Sequence, residues 1–294
     1  MTTYYALDGP INDAGGPEHT QQALQGIRAA PSNYRFVSDD GTRLVYHPIM
    51  DSGEVTLVVI QPRGTWPSDK PEDELRMSSK HMAADIDALR RHLGRDAIIV
   101  LGHSNGAAIA LSYAEQFPSR CSKAILIQTQ LIGFPDRAPI IAREVERRQS
   151  DPRYADAVAK LKATPLDTVL TSDEHATEWL GSFFDLYFVR PDTGRPEFAL
   201  NTGPLNIRHW AYMKQNAVDN LPEASHVEDL DKVTADTLII ISTEDFICSV
   251  EESKYIQAGI GANAKLIVYD ECGHMPWIEK KDDFYRDLMA FLLQ

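Results

Sequence analysis

Cysteine is scarce in this chain: three in 294 residues, Cys121, Cys248 and Cys272, widely scattered and odd in number. That argues against a disulfide framework and fits a reduced intracellular protein. Basic charge is also short, with 29 Lys and Arg against 43 Asp and Glu and a net charge of −14. No basic stripe exists to neutralise phosphates, so nucleic acid is disfavoured as a partner. No window approaches the roughly eighteen uninterrupted apolar residues of a membrane span. The opening MTTYYALDGPINDAGGPEHTQQ has neither the basic start nor the apolar run of a signal peptide. The expectation is a soluble, cytoplasmic protein that does not bind membranes, with the oligomeric state open. No metal-ligand spacing and no nucleotide-binding glycine pattern is present, so no metal and no cofactor is expected. What the chain does have is 43% hydrophobic residues, enough for a sizeable globular core.

Residues 1–33 are rich in Gly, Pro and Asp and read as an extended N-terminal arm, with one helical turn near Gln21 to Ala30. YRFVSDDGTRLVYHPI places two short strands around Asp-Gly, a hairpin signal. TLVVI (Thr56 to Ile60) is a buried-strand run. From Ser78, SSKHMAADIDALRRHLG sets Met82, Ile86, Leu89 and Leu93 three and four apart, an amphipathic helix with a Ser start and a Gly stop. AIIVLGHSNGAAIALSYAEQFP then runs strand, sharp turn, helix, and KAILIQT is another buried strand. Strands alternating with helices predict an α/β fold, a mostly parallel sheet flanked by helices. Between about Gly133 and Val233 the alternation gives way to helical segments: IIAREVERRQ, ATEWLGSFFDLYF and IRHWAYMKQNAV. This divides the chain into an arm (1–33), a core (34–132 and 234–294) and a helical insert (133–233). The alternation resumes with TLIIIS, a helix through SVEESKYIQAGI, the strand KLIVYD and the helix KDDFYRDLMAFLLQ.

Gly102-His103-Ser104-Asn105-Gly106 matches G-x-S-x-G in the strand-turn-helix context that gives the motif meaning. Flanking glycines let the chain turn tightly enough to raise the Ser104 hydroxyl above the sheet, and the helix N-terminus faces any oxyanion formed there. The bland alternative is a tight turn with a surface serine. Serine needs a base, and the base needs a carboxylate to hold its tautomer. In the order Ser…Asp…His, Asp245 follows the strand TLIIIS and His274 follows KLIVYD in a Gly-turn context. Asp245 also reads as an N-cap for the helix after it, and Glu244 is its nearest rival. His103 should point away from Ser104, while His81 and His92 lie off their helix's apolar face and should be solvent-exposed.

LGHSNGAAIALSYAEQFPSR, STEDFIC and AKLIVYDECGHMPWIEKKDDFY, with PRGTWPSDKPEDELRMSSKHMAADIDALRRHLG, resemble the proline-iminopeptidase-like branch of the α/β-hydrolases, from about Tyr34 to the C-terminus. The likeness is weakest in the insert. It implies Ser104 as nucleophile, His274 as general base and then acid, Asp245 as orienting carboxylate, and residues 133–233 as a cap that shapes substrate choice.

Members of that family carry one loop after the third strand, like HGGPG, that donates an N–H to the oxyanion hole. A second loop, like DxRGxGxS, follows the fourth strand as a structural turn. PRGTWPS matches the second, yet TLVVIQ before it looks like the third strand entering its own loop. One strand does the work of two, and roughly 25–30 residues of strand, helix and connections are missing. The backbone N–H of Asn105 supplies one oxyanion donor; Arg63 or Gly64 would have to supply the other. Either the loop is compressed, or hydrolysis has been lost, or a segment is absent from the chain.

In ATEWLGSFFDLYF, Trp179, Leu180, Phe183, Phe184, Tyr187 and Phe188 form a broad apolar face. Core packing explains most of it; Trp179 and Phe183, with Trp210 and Tyr212, are the candidates to line a substrate pocket over Ser104. An aminopeptidase would also need a carboxylate for the substrate amine, for which Glu178 and Asp185 are candidates. Cys248 and Cys272 read as buried packing. The leading expectation is a serine hydrolase acting on an ester, lactone, amide or N-terminal peptide bond of a small molecule or short peptide. The alternative is a non-catalytic or hydrolysis-impaired relative that binds a small apolar ligand.

Overall fold

The computed structural model describes residues 4–8, 34–51 and 56–294. The helical turn expected near Gln21 to Ala30 lies outside the described residues. In chain order the elements are β1 (Tyr4–Asp8), β2 (Tyr34–Val37), β3 (Arg43–Asp51), β4 (Thr56–Gln61), α1 (Ser79–His92), β5 (Ile98–His103), α2 (Asn105–Gln116) and β6 (Cys121–Ile127). The insert follows, as α3 (Arg137–Arg148), α4 (Ala155–Ala163), α5 (Asp173–Phe183), α6 (Pro191–Thr202) and α7 (His209–Asp219). The chain closes with β7 (Asp236–Ser242), α8 (Val250–Ile260), β8 (Ala264–Tyr269), α9 (Pro276–Glu279) and α10 (Lys281–Leu292). The strands make one eight-stranded sheet in the order β2-β3-β4-β1-β5-β6-β7-β8.

The sequence sorts itself onto the two sides of this sheet by parity, because alternate side chains of a strand point to opposite faces. Val58, Ile60, Ile98, Val100, Ala124, Leu126 and Ile239 enter one core, against Met82, Ile86 and Leu89 of α1 and the small residues of α2. Leu57, Ile99, Leu101, Ile125, Ile127, Leu238 and Ile240 enter the other, against Phe284, Leu288 and Phe291 of α10. Strands covered on both faces read as continuous apolar runs, which is why IIVL and LIII do not alternate in hydropathy. The expected helix after Ser78 is present, with the Ser78 hydroxyl accepting from the His81 N–H and Gly94 in the left-handed region (φ 66°) just past its end. The Asp40-Gly41 hairpin is present too, with Val37 opposite Arg43 and Gly41 at φ 84°.

The expected parallel arrangement is found in β5-β6-β7-β8, whereas β1 to β4 pair antiparallel. The N-terminal segment departs from its reading as an arm. Tyr4–Asp8 is a strand in the middle of the sheet, antiparallel to β4 on one side and to β5 on the other. This bears directly on the shortened region before the elbow. β4 does not neighbour β5; a strand from the start of the chain fills the place between them.

Because Ala6 faces Val58 in β4 and Val100 in β5, its backbone sits at the centre of the joint between the two half-sheets. Proline there removes a ladder hydrogen bond from a central strand. Ala6→Pro is expected to cost about 1–3 kcal/mol, the loss from leaving a buried backbone group without its partner, read as a clear fall in the thermal unfolding midpoint. An unchanged midpoint would show that this strand does not join the halves.

Candidate active site

The turn at Ser104 is built by close approach. After β5 the chain reverses at Ser104 with φ 57° and ψ −121°, and α2 begins at the next residue. That φ is uncommon for any residue with a Cβ and stores strain. The turn is held by the Ser104 N–H donating to Ile127 O at 2.8 Å, and by the Ser104 carbonyl accepting from Ala107 and Ala108 in the first helical turn. A Cβ at position 102 would lie 2.1 Å from the Gly106 carbonyl oxygen, so only glycine fits beneath the helix start. The Ser104 side chain makes no cap bond to its own helix.

His274 and Asp245 meet as the chain order suggested. His274 Nδ1 lies 2.6 Å from Asp245 Oδ2, both side chains nearly fully buried. A carboxylate oxygen accepts, so Nδ1 is the ring nitrogen that donates to Asp245, and Nε2 is the one that Asp245 does not engage. Asp245 is itself fixed, its Oδ1 accepting from the N–H groups of Ile247 and Cys248. The rival roles separate cleanly. The N-cap of α8 is Ser249, with a capping box to Glu252, so Asp245 does not cap that helix. Glu244 turns outward to Arg147 at 2.6 Å. His103 packs behind His274, ring centroids 4.5 Å apart, and its Nε2–H donates to the His274 carbonyl at 2.9 Å. Burial pushes His103 well below the ordinary imidazole range, so it stays neutral. His81 is half-buried rather than exposed, bonded to the Ser78 hydroxyl at 2.7 Å. His92 is exposed but lies against Phe36 and Tyr46.

The loop after β4 is a structural turn. The Arg63 guanidinium is buried and forks onto Asp85 at 2.7 and 2.5 Å, while its Nη1 reaches Asp40 at 2.8 Å and the Arg76 carbonyl at 3.0 Å. Burial raises Asp85 to about 6 against the pull of Arg63. Gly64, one of the two expected oxyanion donors, gives its N–H to the Asp69 carbonyl at 2.8 Å and so is already engaged. With β1 lying between β4 and β5, this loop also stands one strand further from the elbow than a loop leaving the neighbouring strand would. Asn105 opens α2 directly after Ser104.

The alpha/beta hydrolase fold family matches this chain over residues 50–281. The chain belongs to that family. Among its relatives is a proline iminopeptidase from Lactobacillus helveticus, 23% identical, with the match covering 99% of this chain and 94% of the relative. Another is a 2-hydroxy-6-oxo-6-phenylhexa-2,4-dienoate hydrolase from Comamonas testosteroni, 26% identical over 72% of this chain and 68% of that one. In fold it is similar to an esterase from Exiguobacterium antarcticum, at a TM-score of 0.65 and 19% identity, over 90% of this chain and 100% of that one. A family of hydrolases with esterase and peptidase relatives supports hydrolase activity here. No helix among the described residues is long and apolar enough to cross a membrane.

Within this hydrolase the four aromatic candidates divide. Trp179 and Phe183 are packing residues of the insert: both are buried in its own cluster, and the Trp179 indole donates to the Thr164 carbonyl. Packing within the insert accounts for both. Trp210 covers the Gly64 turn so closely that a Cβ at 64 would sit 2.6 Å from its ring, and the Lys70 ammonium lies over that ring, 4.3 Å from its centroid. Tyr212 stays half-buried beside Trp179. The residue that reaches the imidazole is Tyr187, missed among the apolar face. Its ring meets His274 edge-on at 5.0 Å, and its carbonyl accepts the His274 N–H at 2.8 Å. A short 3-10 turn over Phe184–Tyr187 follows α5 and rotates Tyr187 out of the helical register. Arg137 was also missed. Its guanidinium pairs with buried Glu252 at 2.8 Å and interacts with Cys248 and Asp245.

Three-dimensional structure adds a grouping that spacing did not reveal: ligand-type atoms of Asp245, Cys248 and His274 lie within 4.8 Å of one another. Their chemistry does not suit a resident cation. Nδ1 and Oδ2 are bonded to each other, the Arg137 charge adjoins the sulfur, and burial lifts the Cys248 thiol well above its ordinary value, holding it protonated.

Arg63→Ala would leave the Asp85 and Asp40 carboxylates buried without their partner, at an expected cost of about 3–5 kcal/mol. Arg63→Lys should recover only part of this, because an ammonium cannot reproduce the fork. Denaturant unfolding of the three proteins checks both; equal stability of all three would contradict the structural role of this turn.

Proposed function

We propose that this protein is a serine hydrolase working through an acyl-enzyme, with Ser104, His274 and Asp245 as its triad. The observation that carries the reading is the 2.6 Å bond between His274 Nδ1 and Asp245 Oδ2, which leaves Nε2 as the proton acceptor. The strained Ser104 turn at the start of α2 supports it. In the forward step His274 Nε2 takes the hydroxyl proton as Ser104 Oγ attacks the substrate carbonyl. The imidazolium is stabilised by Asp245 and then protonates the leaving group. Water, deprotonated by the same imidazole, attacks the acyl-serine; collapse returns the proton to Ser104 and releases the acid. The Asn105 N–H is one oxyanion donor, and the Arg63 backbone N–H remains the proposal for the second.

Residues 133–233 act in this reading as the cap, with Tyr212 and Tyr187 facing substrate beside the triad. An ester or lactone is favoured over an N-terminal peptide bond. Of the two carboxylates considered for a substrate amine, Asp185 is paired with Arg195 at 2.8 Å and Glu178 is exposed. The polar group beside Asp245 is instead the cation Arg137.

One observation favours the second reading, a hydrolysis-impaired ligand binder. The Gly64 N–H is spent on Asp69, and losing an oxyanion donor typically lowers rate by about a hundred- to a thousandfold. A fluorophosphonate probe discriminates. Labelling of the native protein that disappears in Ser104→Ala is the expected result. A folded sample that takes no label would overturn the triad reading and leave the binder. Where labelling occurs, turnover of p-nitrophenyl esters above proline arylamides is expected; the reverse order would restore the iminopeptidase assignment.

A further inference from the structure

Glu279 ends the short helix α9, five residues beyond His274 in a chain position with no evident chemistry. Its carboxylate nevertheless joins two distant segments. Oε2 accepts the Gly273 N–H at 2.7 Å, immediately before His274. Oε1 accepts the N–H groups of Val189 at 2.8 Å and Arg190 at 3.2 Å, both in the insert. Those residues follow Tyr187, whose carbonyl takes the His274 N–H and whose ring lies edge-on to the imidazole.

The segments are also in steric contact. A Cβ at Gly273 would lie 2.4 Å from the Tyr187 carbonyl oxygen, 2.9 Å from Glu279 Oε2 and 3.0 Å from Phe188 Cα. Around this point Phe184, Phe188 and Phe198 of the insert pack on Met275 and Ile278 of the His274 loop. The apolar contact supplies adhesion without fixing register; a carboxylate accepting three N–H bonds supplies the register. Gly273 is buried, Val189 half-buried and Arg190 exposed, so sliding the segments apart costs most at the Gly273 N–H, which would be left buried without an acceptor.

We propose that Glu279 is a positioning residue: it locks the insert strand of chain Tyr187–Arg190 to the turn carrying His274, so that the imidazole and the tyrosine wall against it are set by one side chain. The insert is therefore not free on this side of the site, and its Tyr187 segment moves with the catalytic loop. This rests on the serine-hydrolase reading for its kinetic consequence, though not for its geometry.

Glu279→Gln keeps the shape but turns one accepting oxygen into a donor. In the full-length protein, hydrogen exchange should show the amides of Gly273, Val189 and Arg190 protected in the native state. In the variant, exchange should quicken at these amides while the sheet amides stay as they were. With the best ester substrate, kcat should fall roughly 10–100-fold, as small misplacements of a catalytic group do, with KM changed much less. Glu279→Asp, which keeps the charge but is one carbon shorter, should fall between the two. Free exchange of the three amides in the native protein would overturn the clamp even if no variant folds. So would unchanged exchange and unchanged kcat in a folded Glu279→Gln. If the native protein takes no fluorophosphonate label, the hydrolase reading fails instead, and the exchange result still decides the clamp.

Discussion

The site rests on one steric constraint, the contact between the end of β5 and the start of α2. Gly102 lies so close to the Gly106 carbonyl that no side chain fits between them. That approach lets the helix begin one residue after the strand ends, and Ser104 absorbs the resulting strain in a left-handed φ. Strain of this kind persists only where the surroundings over-determine it. Here the over-determination comes from the bond to Ile127 and from two cores that clamp β5 on both faces. The core residues of the sheet thereby hold the Ser104 turn, Ile127 by a direct bond and the others through the strand.

The second part of the site is assembled from loops, and loops need outside support. Asp245 is steadied by backbone N–H groups of its own loop, and Arg148 of the insert donates to the neighbouring Glu244 carbonyl at 2.6 Å. His274 is braced from behind by His103 and from the front by Tyr187. The insert thus does two jobs at once. Its own helices pack around Trp179 and Phe183, and it buttresses the two loops that carry Asp245 and His274.

Much of this was legible in the chain because the signals were local. The amphipathic spacing of Met82, Ile86 and Leu89, the Asp40-Gly41 turn, and the elbow with its two glycines each declare themselves within a few residues. Asp245 and His274 were legible because each follows a recognisable strand. β1 was not: YYALD is too short to show a period, and its meaning lies in pairing with strands some fifty and ninety residues on. The packing of Trp179 and Phe183 was not legible, because a helical face shows which residues are apolar without showing which neighbour covers them. The 3-10 turn after Phe183 then carries Tyr187, and not those two, to the imidazole. Motif order left Arg63 and Gly64 open as the second oxyanion donor; the bond that engages the Gly64 N–H closes a turn to Asp69, five residues on, and no motif announces it.

The central position of β1 also constrains how the chain comes into being. Its partners are β4 and the strand that ends at His103. On the ribosome, Tyr4–Asp8 therefore emerges long before either groove wall exists and must wait unpaired until both have been translated. Contacts so remote in sequence are slow to form and leave apolar edges open in the interval. Until β1 is in place, β4 and β5 each keep an unpaired edge that the finished sheet covers.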